Sequence, residues 1–136
     1  MPPSRDDTDI RNDSVLLRVL PPKWVTVKGG RERPSSDSLL DSNFENSCFI
    51  DGEIGIDELQ SLFPGCKIAR IEAAIVRREG YSIERRPTES PEECSNPNSH
   101  VVVGPAVPID RGLYERAARH IVKDPSIQLI HPPDET

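Results

Sequence analysis

Three cysteines, Cys48, Cys66 and Cys94, and three histidines are the residues of this 136-residue chain with the most chemistry to offer. A structural zinc site takes four Cys or His ligands, and natural sites supply them in close pairs of the C-x-x-C or H-x-x-x-H kind. Neither spacing occurs here. Cys94 and His100 are near one another in the chain, but Cys48 and Cys66 would have to converge on them from elsewhere. A cysteine nucleophile paired with His100 needs only that the two meet in space. An odd number of widely spaced thiols equally fits reduced cysteines in a core. No metal, cofactor or catalytic residue is expected.

Anion chemistry has more material. Gly29-Gly30 lies in the basic stretch from Lys28 to Arg33, without the glycine spacing or following helix of a phosphate-binding loop. That stretch predicts local anion contact. Arg18 sits inside an apolar run, Ser35-Ser36 follow the basic turn, and His100 opens a second apolar run. Polar groups at such places need partners when buried, so they either satisfy one another and the backbone or face a cleft. Arg18, Ser35, Ser36 and His100 are accordingly the candidate ligand-binding residues. The pairs Arg77-Arg78 and Arg85-Arg86 would meet across a hairpin as a cationic patch for a phosphate or an acidic partner, unless Glu72, Glu79 and Glu84 neutralise them. Together with Glu92 and Glu93, in a polar loop over 88–99, they are the candidate partner-binding residues.

The elements that must position these groups are short. SVLLRVL at 14–20, closed by Pro21-Pro22, reads as a strand, because a residue before proline is held extended. Residues 24–27 form a second extended piece with Trp24 as a core anchor, followed by a loop through Gly29, Gly30 and Pro34. Cys48-Phe49-Ile50 is a third strand, ended by Asp51-Gly52. Apolar positions 56, 59, 62 and 63 share a helical face. Residues 67–77 fit either periodicity; the strand reading is preferred, turning at Glu79-Gly80 into a strand over 81–86. His100 to Gly104 reads as a buried strand. Residues 110–123 read as a helix capped by Asp110, striped by Leu113, Ala117 and Ile121 with Tyr114, Ala118 and Val122 beside them, and stopped by Pro125. Residues 127–130 add a short edge strand.

Composition bounds the rest. Fourteen prolines argue against a long-helix bundle. No run approaches a membrane span, and the polar amino end lacks the apolar core of a signal peptide, so a cytoplasmic location is expected. The net charge is −6, yet residues 15–87 carry 11 basic and 11 acidic side chains, and the acid excess lies in residues 1–14, 88–100 and 124–136. Segment 101–123 is positive by two. Acidic ends are a poor footprint for duplex nucleic acid, which needs clustered Lys and Arg to release counterions.

LLRVLPP at 16–22, RPSSDSL at 33–39, DGEIGID at 51–57 and RRPTESPEECSNPNSHVVVG at 85–104, in that order, resemble a group of small uncharacterised bacterial proteins. The resemblance marks Arg18, Ser35, Ser36, Pro87 and His100. The chain departs from the pattern at Leu39, Gly55 and Arg86, where the group has Phe, Ser and an acidic residue. An arginine on an early strand with a serine after it is also reminiscent of the ADP-ribosyltransferase layout. That resemblance implies a nucleotide- or NAD-using enzyme with Arg18 as phosphate clamp and Ser35, Ser36 or His100 lining the pocket; its catalytic glutamate has no assigned position here.

The expected fold is α+β: a mixed or antiparallel sheet of about five or six short strands, a short helix near 56–63 and a longer one near 110–123. Residues 14–131 form the domain, 1–13 a disordered tail and 132–136 an acidic tail. The expected function is a non-catalytic accessory domain that docks to a partner protein, with an antitoxin or immunity protein as a special case and the nucleotide-using enzyme as the alternative.

Overall fold

The alternation of LLRVL puts Leu16, Arg18 and Leu20 on one side of a strand and Leu17 and Val19 on the other, and both sides are covered. A computed structural model describes residues 1–88 and 94–133. In chain order its strands are β1 (Val15–Leu20), β2 (Val25–Lys28), β3 (Arg31–Pro34), β4 (Asn46–Ile50), β5 (Lys67–Glu72), β6 (Tyr81–Arg85), β7 (His100–Pro105) and β8 (Gln128–Ile130). The helices are α1 (Ile56–Leu62), α2 (Ala73–Arg78) and α3 (Arg111–Val122). Six strands form one antiparallel sheet of order β6-β7-β4-β1-β5-β8, and β2-β3 form a separate hairpin. The fold is α+β, as the element pattern predicts.

The core is double. On one face of the sheet Leu16, Leu20, Cys48, Ile71, Val101 and Val103 pack under Tyr114, Ala118 and Ile121 of α3. On the other, Leu17, Phe49 and Ile68 pack with Leu59 of α1. Asp110 caps α3, its Oδ1 accepting from the Leu113 N–H at 3.1 Å. Leu113 itself is half exposed, and the buried stripe runs through Tyr114, Ala117, Ala118, Ile121 and Val122. Among the described residues no helix is long and apolar enough to cross a membrane.

Three expectations are corrected. Residues 67–77 are not one strand: β5 stops at Glu72, whose partner Val15 is the first residue of β1. Past that point the ladder has no neighbour on that side. Instead the Ala73 and Ala74 N–H groups donate to the Ser14 and Asn12 carbonyls and the chain winds into α2. Residues 28–34 are not a loop: Gly29 and Gly30, at φ of 61° and 75°, make the two-residue turn that joins β2 to β3. Gly-Gly was the available signal for that hairpin.

The amino-terminal residues are not a free tail. They run along the outer edge of β6, where the Asp7 N–H donates to the Ile83 carbonyl at 2.8 Å. Asp6 Oδ1 accepts from the Ile83 N–H at 2.9 Å and Asp7 Oδ2 from the Arg85 N–H at 2.7 Å. Carboxylates thus stand in for the carbonyls of a missing strand, and Ile10, 1% exposed, fills the core. Composition hides this because only Pro3 and Ile10 of the segment are buried. Ile10→Ala is expected to lower stability by about 2–3 kcal/mol, read as a shifted urea midpoint at unchanged slope. A midpoint that stays in place would return residues 1–13 to the status of a tail. Of the expected acidic tail, residues 134–136 lie outside the described residues, and Pro132 is buried.

Candidate functional site

Antiparallel register places directly opposed residues on the same face of a hairpin. Thr26 opposes Arg33 and Lys28 opposes Arg31, so these four side chains share one face of β2-β3, with Val25, Val27, Glu32 and Pro34 on the other. The first face is turned toward the carboxyl end of α3. Arg31 fixes it there, its Nη2 donating to the carbonyls of Pro125 and Ile127, both at 2.9 Å. The second face is tied to the sheet by Glu32, which pairs with Lys67 of β5 and with His131.

Between hairpin and helix lies a cleft of about 210 Å³. Lys28 and Arg33 enter it from the hairpin, Arg119 from the last turn of α3, Lys123 from the residue that caps that helix, and Ser35 and Ser36 from the segment that follows β3. No described carboxylate lines it. Among the described residues none of the four cationic side chains makes an ion pair. The Nε of Arg33 and the Oγ of Ser35 are buried without a hydrogen-bond partner. The carboxyl end of α3 contributes a partial negative charge of about one half, far short of four cations. The cleft thus has the charge and the donors to suit an anion. Among the described residues that line the cleft, its serines have no imidazole, carboxylate or thiol beside them.

Ser35 and Ser36 therefore share a site; the other ligand candidates do not join them in it. Arg18 is 8% exposed on the α3 side of the sheet. Its Nε donates to the Ser38 carbonyl at 2.9 Å, its Nη1 to the Ser47 carbonyl at 2.6 Å, and its guanidinium carbon lies 4.7 Å from the Trp24 ring centroid. Burial lowers its pKa, and the nearby Cys48, Asp41 and Tyr114 offset that only in part. It acts as a strut: Ser38 in turn donates from Oγ to the Ser35 carbonyl at 2.7 Å, and the Ser35 N–H donates to the Trp24 carbonyl at 2.8 Å. Arg18 so braces the turn that presents Ser35 and Ser36, from beneath the cleft.

His100 faces the other way. It opposes Phe49 in the β4-β7 ladder, and its half-buried ring stacks edge-on against Phe49 at 5.3 Å, on the α1 side of the sheet. The Arg86 carbonyl, an acceptor only, takes a hydrogen bond from Nδ1 at 2.7 Å, which fixes the tautomer. Burial holds its pKa below the ordinary histidine value. The sheet thus separates His100 from Arg18, and the pocket that an ADP-ribosyltransferase layout needs from Arg18, Ser35 and His100 together does not form.

The two arginine pairs do not make an open cationic patch. Arg77 is held by Asp6, Arg78 by Glu79 and Asp124, Arg85 by Glu53 and Asp9, and Arg86 by Glu84 and Glu45. Neutralisation comes from the amino-terminal segment as much as from the glutamates nearby in sequence. Glu92 and Glu93 lie outside the described residues.

Cys48 is buried, its thiol pushed up to about 11 by desolvation, and Cys94 is buried with Sγ 3.3 Å from the Asn96 carbonyl. Among the described residues no group of three or more His, Cys, Asp or Glu is placed to share a metal ion.

Arg33, Arg119, Lys123, Lys28 and Thr26 went unmarked as site residues. Two signals pointed toward them: the basic stretch over 28–33 and the positive balance of segment 101–123. Neither says that the two segments meet. Comparison with protein-family models, with curated proteins and with solved structures finds no match to this chain.

Proposed function

We propose that this protein works by binding, as a non-catalytic accessory domain that docks an acidic feature of a partner protein into the cleft between β2-β3 and α3. The observation that carries this reading is the set of four cations, Lys28, Arg33, Arg119 and Lys123, brought together without a carboxylate on a chain of net charge −6. Like charges held at close quarters cost stability unless an anion repays them. By contrast Arg77, Arg78, Arg85 and Arg86 are each held by acidic side chains and have a structural role. Docking through exposed charge is fast and salt-sensitive, which suits an accessory protein that engages and releases.

The test is a variant carrying Lys28→Gln, Arg33→Gln, Arg119→Gln and Lys123→Gln. Wild-type protein is expected to retain a stoichiometric partner from its source at low salt and to release it as salt rises. The variant is expected to bind that partner at least tenfold more weakly while melting at the same or a higher temperature, since the repulsion is gone. Equal retention by the variant would place docking elsewhere and overturn the reading.

A further inference from the structure

We infer that the group this cleft is built to hold is a phosphate monoester dianion. The inference rests on the docking reading above and narrows it from acidic to phosphorylated. A carboxylate brings one negative charge and two oxygens in a plane. A phosphate monoester brings close to two charges and three terminal oxygens spread over a tetrahedron. The cleft offers donors to match the second pattern. Arg33 of the hairpin and Arg119 of α3 bring planar guanidinium forks to its lining, Lys28 and Lys123 add point charges, and Ser35 and Ser36 add hydroxyls. One carboxylate in such a place leaves most of the positive charge unbalanced. A dianion removes twice as much of it.

Two further observations point the same way. The Nε of Arg33 and the Oγ of Ser35 are both out of water and unpartnered, a cost that a native fold rarely carries at two positions so near in the chain. Both belong to residues that line this cleft. The wall is also braced: Arg18 holds Ser38, Ser38 holds Ser35, and Arg31 clamps the hairpin to the chain after α3. A volume of about 210 Å³ is small against the 300–1,000 Å³ of drug-sized sites. It suits a phosphate with a few atoms of the chain that bears it.

The test is a titration of the ¹⁵N-labelled full chain with O-phospho-L-serine, inorganic phosphate and L-glutamate at low salt. The readouts are the Arg33 Nε–H signal and the Ser35 and Ser36 amides. O-phosphoserine is expected to shift all three and to bind at least tenfold more tightly than glutamate. Arg33→Gln is expected to weaken it at least tenfold; Lys123→Gln, on the exposed end of α3, repeats the test should Arg33→Gln unfold. Phosphoserine binding more tightly than inorganic phosphate supports a phosphorylated side chain as the source, and equal affinities support a free phosphate species. Glutamate binding as tightly as phosphoserine would overturn the inference while leaving the docking reading intact. Silence of all three signals overturns it as well, and the docking reading is then decided independently by partner retention in the fourfold variant.

Discussion

Replacing Gly104 by alanine is expected to destabilise the protein by about 3 kcal/mol, the more so because nothing around it is free to yield. A Cβ at position 104 would lie 2.3 Å from the Phe44 carbonyl oxygen and 3.1 Å from its carbon. Both are backbone atoms. Gly104 is itself held in the ladder, opposite Ser82 of β6, so it cannot retreat. Phe44 cannot either: it sits at φ 60°, in the left-handed region, with its ring 4.8 Å from that of Tyr114. The turn before β4 is thus pressed against β7 at the one position where the side chain is a hydrogen atom. Urea unfolding measures the loss. Gly55→Ala is the control, since a Cβ there meets nothing within 4 Å and its backbone is not left-handed. A Gly104→Ala protein as stable as Gly55→Ala would show that the turn and β7 are not in contact.

Asn46→Asp is expected to cost about 4 kcal/mol at pH 7, although it changes one atom. Asn46 is fully buried. Its Oδ1 accepts from the Asp41 N–H at 3.0 Å, and its Nδ2 donates to the Val103 carbonyl at 2.9 Å and to the Tyr114 hydroxyl at 3.0 Å. The Tyr114 hydroxyl in turn donates to the Asp41 carbonyl at 3.0 Å. Every donor in this network is matched to an acceptor. An aspartate replaces two donors with an acceptor that faces the Val103 carbonyl, and its charge has no cation in the network to answer it. Burial raises the pKa of such a carboxyl in the folded state above its unfolded value. The unfolded chain then loses its proton first as pH rises, so the penalty grows through that window and levels off above the folded pKa. Protonation restores one donor. The deficit relative to wild type is therefore expected to be smaller at pH 4 than at pH 7, measured by urea midpoints at both. A pH-independent deficit would show that the lost donors, not the buried charge, account for it. The network also ties α3 through Tyr114 to β4, so the same substitution is expected to loosen the wall that carries Arg119 and Lys123.

Periodicity made several elements readable without the fold. The apolar run at 100–104 and the capped, proline-stopped stripe near 110–123 are local statements, and β7 and α3 appear where they were expected. The ambiguous stretch at 67–77 is instructive for the opposite reason. Its residues satisfy a strand and a helix equally, and the choice falls at Glu72 because that is where β1 ends. An event 57 residues upstream, at Val15, decides it. The amino-terminal segment is a similar case, since Asp6 and Asp7 look like solvated charges until β6 presents them with unpaired N–H groups.

The candidate site divides along the same line. Residue type alone established that Arg18, Ser35, Ser36 and His100 needed partners, because a polar group near an apolar run cannot be buried alone. Which partners they have was decided only in three dimensions. Strand alternation sends Arg18 and His100 to opposite sides of the sheet; Arg18 becomes a brace and His100 a half-buried ring packed on Phe49. Charge counting placed positive balance in segment 101–123 and a basic run at 28–33. Only the docking of hairpin against helix turns those two local excesses into one cleft, because electrostatic fields add in space while sequence distance contributes nothing.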